Sequence, residues 1–222
     1  NVRSSSSSTG RRLMRKFEEV YACDDAGLAT PPETALLEKV ELHATGIKSF
    51  FHKYSGMTFN KGIFRVFPLD QVKKWTLIAE EMFPEVKGKL LVFASDWRGQ
   101  VYALNTGRKD GDQFQIQLLD PATNENLNVP ATFEGFLDVE LVDYANESLQ
   151  VELFEDWIAN HGPAPAAKEC VAYIKPLRLG GIDDPSNQEI TDMEVYWSFS
   201  TQIRQQIDGL PEGTRIDRVD LA

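Results

Sequence analysis

Two successive hairpin signatures in the middle of the chain limit its fold more than any other feature. In "LLVFASDWRGQVYALN" a continuous apolar run passes through the turn chemistry of Asp-Trp-Arg-Gly into an alternating run. "GRKDGDQFQIQLLD" repeats the device, with Asp110-Gly111 at the turn and a second alternating run behind it. Hairpins place sequence neighbours side by side, so this part predicts an antiparallel or mixed sheet.

Helical spacing flanks that sheet on both sides. Residues 15–22 have helical propensity, and a turn-rich segment with Pro31 and Pro32 follows. Leu36, Leu37 and Val40, then Ile47, Phe50, Phe51 and Tyr54, recur every three to four positions, predicting two short helices broken near Thr45-Gly46. Gly56 suits a left-handed cap, "GIFRVF" reads as a strand, and Asp70 is placed to cap a helix reaching Met82. Beyond the hairpins, helices are expected over 132–141 and 148–160, the second with Leu149, Leu153, Trp157 and Ile158 inward. "ECVAYIKPLRLGG" reads as a further strand ending in glycines. Strands and helices mix without βαβ alternation, so the expected class is α+β. The expected boundary lies at 84–89, giving a mostly helical unit over 14–88 and an α+β unit over 89–210, with a tail over 211–222. Polar, low-complexity residues 1–13 read as an expression remnant ahead of Met14.

Charge divides unevenly along the chain. Up to Gly88 there are 13 Lys and Arg against 11 Asp and Glu, whereas from Lys89 onward there are 10 against 23. An acidic surface repels phosphate backbones, which argues against direct nucleic-acid binding, and it draws in and steers a basic protein partner. No run of about 18 apolar residues is present and the N-terminus lacks the apolar core of a signal peptide, so neither a membrane span nor secretion is expected and a cytoplasmic setting is the default. Cys23 and Cys170 are too few and too far apart for a disulfide framework or a CxxC-type metal site.

An inventory of reactive groups points away from catalysis. His43, His52 and His161 fall in separate segments, and HExxH, GxSxG, Walker and GxGxxG patterns are missing. No catalytic set, metal site or cofactor is expected. In "LGGIDDPSNQEITDMEVYW" the run Thr191-Asp192-Met193-Glu194 fits a capping box, which makes the acids beside it helix punctuation. That account does not reach Asp183 and Asp184, in a loop after Gly180-Gly181. A loop acid pair is either simple solvation or a partner contact. Trp97 at the first hairpin tip is either folded back on the sheet or exposed as an anchor beside Arg98, since Trp and Arg are enriched at binding hot spots. The candidate contacts are therefore Asp183, Asp184, Asp96, Trp97, Arg98, Asp110 and Asp112, all from loops or turns.

The sequence also resembles a known family. "ETALLEKVELHATGIKSFFHKYSGMTFNKGIFRVFPLDQVKKW" is similar to the GAD-like domain. "LLVFASDWRGQVYAL", "LLDPATNENLNVPATFEGFL" and "CVAYIKPLRLGGIDDPSNQEITDMEVYWSFSTQIRQQI" resemble the C-terminal domain of type VI secretion immunity proteins that protect against DNase effectors. The resemblance covers about Phe17 to Ile207 and is most specific at "KPLRLGGID" and "DMEVYW". It implies an intracellular antidote that binds a cognate toxin, typically a nuclease, and blocks its access to DNA. A related protein-binding module or scaffold with a non-nuclease partner is the alternative, and an enzyme is the third.

Overall fold

The first hairpin forms where its chemistry placed it, with its two strands, Leu90–Asp96 and Val101–Asp110, joined through a glycine in the left-handed region. The computed structural model describes residues 14–24, 34–210 and 214. The remnant expected over 1–13, the Pro31-Pro32 turn and most of the tail lie outside the described residues.

In chain order the described elements begin with α1 (Arg15–Val20), α2 (Thr34–Glu41), α3 (Ile47–Tyr54), the short strands β1 (Thr58–Phe59) and β2 (Phe64–Val66), and α4 (Leu69–Met82). The strands β3 (Leu90–Asp96), β4 (Val101–Asp110), β5 (Gln113–Asp120) and β6 (Glu125–Thr132) follow. A helical stretch comes next, made of α5 (Phe133–Gly135), a wide turn Phe136–Glu140 and α6 (Leu141–Asp143). Then come α7 (Ala145–Leu149), α8 (Val151–Asn160), β7 (Glu169–Tyr173), β8 (Gln188–Asp192) and α9 (Met193–Ile207). The class is α+β. Strands β1 to β6 form one antiparallel sheet in sequence order, and β7 and β8 form a separate antiparallel pair.

Strand β3 is buried along its whole length, which requires cover on both faces. A bulge at Phe93 turns its ring toward Phe50, Phe133 and Phe136, with centroids 5.2–6.3 Å away and near edge-to-face. Helix α4 packs beside β3, where Thr76 Oγ1 accepts the Val92 N–H, and Trp75 meets Trp197 of α9 edge to face. A second aromatic group gathers Phe17, Tyr21, Tyr54, Phe59 and Phe64 under α1.

The boundary expected at 84–89 separates no two cores. Val66 of β2 pairs with Ala94 of β3, and one continuous set of buried side chains runs from Phe17 to Trp197. Arg65 stitches the halves further: its buried guanidinium donates to Gly62 O at 2.8 Å, Pro165 O at 3.0 Å and Glu169 O. The described residues of 14–88 thus supply the helical flank and the first two strands of a shared sheet.

Local chemistry explains where other elements depart from expectation. Asp70 lies inside the first turn of α4 rather than at its cap; Pro68 holds that position, and Ser55 Oγ accepts the Leu69 N–H at 2.9 Å. The cap of α9 is Asp192, whose Oδ1 accepts from Glu194 N and Val195 N, while Thr191 belongs to β8. The helix expected over 148–160 is interrupted by Gln150 in the left-handed region, with φ 53°. The interruption resets the helical phase. Leu149 and Phe154 are buried, whereas Leu153, expected inward, is 54% exposed.

Candidate functional site

The first hairpin tip is a buried joint. Asp96 Oδ1 accepts from Arg98 N and Gln100 N, both at 2.9 Å, which closes the turn. Gly99 closes the turn with φ +79°, and its backbone also passes against Cys170, where an added Cβ would lie 3.0 Å from the sulfur. Three bonds then fasten the tip: Val171 N to Trp97 O at 2.8 Å, Trp197 Nε1 to Gly99 O at 2.8 Å, and Trp97 Nε1 to Leu149 O at 2.8 Å.

Two candidate contacts are corrected by this packing. Trp97 is 2% exposed and lies against Phe154, so it is a core anchor folded back on the sheet. Asp96 is 0% exposed, and burial pushes its carboxyl up to about 7 from an ordinary 3.8. Neither side chain meets a partner on this surface.

Arg98 emerges beside the joint and organises what surrounds it. Its guanidinium donates to Gln150 Oε1 and to the Tyr173 hydroxyl, and lies 5.3 Å from the Tyr173 ring centroid. Tyr173 in turn donates to Asp183 Oδ1, which sits 3.9 Å from Arg98 Nη2 with its side chain 70% exposed. Burial first, and then the Asp183 carboxylate, push the Tyr173 phenol up to about 12.

The loop carrying the acid pair is held by its own residues. Asn187 Nδ2 donates to Lys175 O and Ile182 O, both at 2.9 Å, and Asn187 Oδ1 accepts from Lys175 N. Gly181 passes so close to Lys175 that an added Cβ would stand 1.9 Å from the carbonyl oxygen, so no larger residue fits. Asp184 accepts from Ser186 N at 2.9 Å, and the bonds to Ser186 hold its carboxylate below the usual range.

A cleft of about 120 Å³ results, with Trp97 and Arg98 in its wall, Asp183 and Asp184 on one rim, and Leu153, Asp156 and His161 of the α8 end on the other. His161 Nε2 lies 3.1 Å from Asp156 Oδ2. The fold thus brings Asp183, Asp184 and Arg98 together. Asp110 and Asp112 are exposed at the far end of β4, roughly 30 Å away at ~3.4 Å per residue. Sequence reasoning missed Gln150 and Tyr173, which reach the site only through long-range packing. Leu153 lies in the helix the sequence predicts, but the structure exposes it instead of turning it inward.

Chemically, the cleft offers exposed carboxylates on a rigid, aromatic-backed frame. Among the described residues no group of three or more His, Cys, Asp or Glu is placed to hold a metal, and no helix is long and apolar enough to cross a membrane. No family model matches the sequence, and no curated protein matches it either. Among solved structures, the chain is similar to Atu4351 from Agrobacterium tumefaciens, with a TM-score of 0.62 at 13% identity over 86% of this chain and 89% of that one. At that identity the likeness is one of fold: the arrangement of helices around this sheet is shared with Atu4351.

Proposed function

We propose that this chain is an immunity protein that binds a cognate type VI secretion DNase effector and neutralises it by covering its DNA-binding or active-site face. The observation that carries the reading is the cleft at the end of α8. Asp156, Asp183 and Asp184 converge there on a frame fixed by Arg98, Tyr173 and Asn187, within the half of the chain that holds 23 acids against 10 bases. A DNA-cutting enzyme needs a basic groove for phosphate, and fixed surface carboxylates compete for the same lysines and arginines. The sequence resemblance supports a nuclease as the partner, and the geometry adds a surface of the right sign. The mechanism is stoichiometric occlusion without turnover.

The test is co-expression with the toxin domain encoded beside this chain, followed by co-purification and DNA cleavage across inhibitor ratios. Silencing near an equimolar ratio is expected, with an association rate that falls steeply as salt rises. A complex that leaves cleavage undiminished would move the protein to a scaffold or other binding module.

A further inference from the structure

Helix α8 has a groove on each flank, and only one of them is the acidic cleft. Along the other flank runs an open groove of about 540 Å³. Its walls are Val20, Tyr21 and Ile63 on one side and Val151, Phe154 and Ile158 of α8 on the other. Val20 stands 49% exposed there, and Leu153 stands 54% exposed on the ridge between the two grooves. The ridge has one sign of charge: α8 contains Glu152, Glu155 and Asp156 and neither Lys nor Arg. Glu152 and Glu155 are exposed and make no ion pair with any described residue. Lys61, on the far wall, is the only cation among the described residues that line the groove.

That combination selects the kind of occupant. Two of the polar side chains lining the trough are already engaged, Asp24 by the N–H groups of Lys61 and Gly62 and Asn60 by Ala22 N and Val20 O, so they do not orient a small polar ligand, whereas an apolar trough beside an acidic ridge suits a protein segment that alternates apolar and basic side chains. The loop on the far wall is rigidly set. Asn60 and Lys61 both adopt positive φ, and the N–H groups of Lys61 and Gly62 grip the Asp24 carboxylate at 2.7 and 2.8 Å. A trough whose two walls are fixed in advance loses little entropy on being filled.

We propose that α8 is the docking ridge for the partner. One apolar side chain of a basic, amphipathic segment seats in the Val20–Phe154–Ile158 trough, and its neighbouring Lys and Arg side chains straddle the ridge to meet Glu152, Glu155 and Asp156. The inference rests on the immunity reading, because it takes the partner to be a nuclease domain with a basic surface. It goes beyond that reading in naming the helix and the trough that make the contact.

The probe is a catalytically inactivated toxin domain encoded beside this chain, titrated against wild type, Leu153→Lys/Glu155→Lys and Val20→Glu. All three substituted positions are exposed or half exposed, so unchanged circular dichroism and thermal midpoint are expected. Affinity is expected to fall at least 100-fold for the double variant and at least 10-fold for Val20→Glu. Hydrogen exchange in the wild-type complex is expected to slow in α8 and α1. If wild type itself fails to bind, the immunity reading falls and takes this inference with it. If wild type binds while both variants bind equally well and protection maps elsewhere, the docking ridge is wrong and the immunity reading stands. If the free chain self-associates and Val20→Glu alone makes it monomeric, the trough belongs to a second copy and the inference is overturned.

Discussion

Asp96 has two oxygens in opposite circumstances. Oδ1 is saturated by the N–H groups of Arg98 and Gln100, while Oδ2 is buried without a hydrogen-bond partner among the described groups. Burial raises its pKa; the charge of Arg98 and the N–H bond from Gln100 oppose it, and burial wins, at about 7. A carboxyl raised in the folded state contributes stability that is complete below its unfolded value of 3.8 and is lost as pH rises through about 7. At ~1.4 kcal/mol per unit, the loss between pH 4 and 8 is roughly 4 kcal/mol. Asp96→Asn keeps the Oδ1 acceptor and cannot ionise. Urea unfolding of both proteins at pH 4.5, 6 and 8 is expected to show the variant gaining on wild type as pH rises. Parallel curves for the two proteins would mean that Asp96 titrates normally.

Elements with strong local signatures were readable, and those defined by distant partners were not. The β3–β4 and β4–β5 turns follow from Gly99 and Gly111, both at positive φ, between runs of strand-forming residues. Strand β6, "ENLNVPAT", has few β-branched or aromatic residues and carries Pro130; it is a strand because β5 offers it a partner, and it tolerates proline as the last strand of the sheet. The left-handed turn at Gln150 has no sequence warning of the kind glycine gives, so the sequence pattern turns Leu153 inward whereas the structure exposes it. Strand β8 was hidden by a sequence that also fits a capping box. The two readings of that sequence differ in a measurable way. With Asp192 as the cap, Asp192→Ala is expected to cost about 1 kcal/mol, the usual value for a lost cap. Thr191→Ala, in the strand and without a capping bond, is expected to stay within about 0.5 kcal/mol. Chemical denaturation decides between them, and the reverse order would restore threonine as the cap.

At the scale of the molecule, the charge asymmetry along the chain does not coincide with a division of the fold. Gly88 marks a change in composition, yet β2 on one side pairs with β3 on the other, Trp75 meets Trp197, and Arg65 reaches three carbonyls, two of them at Pro165 and Glu169. Local sequence could not reveal this, because pairing between Val66 and Ala94 depends on register across a helix rather than on either strand alone. Breaking the chain at 88 would expose one edge of the otherwise buried β3 and leave the acceptors around Arg65 without their donor, each an expensive loss in a dry interior. Residues 89–210 expressed alone are therefore expected to lack the near-ultraviolet signature of fixed Trp97 and Trp197, and residues 14–88 to remain largely unfolded. In the intact chain, tryptophan fluorescence and far-ultraviolet dichroism are expected to report the same midpoint, as one cooperative unit requires. Two separated transitions, or a stable 89–210 fragment with native tryptophan spectra, would show that the halves fold independently and that the shared sheet is a docking of two units.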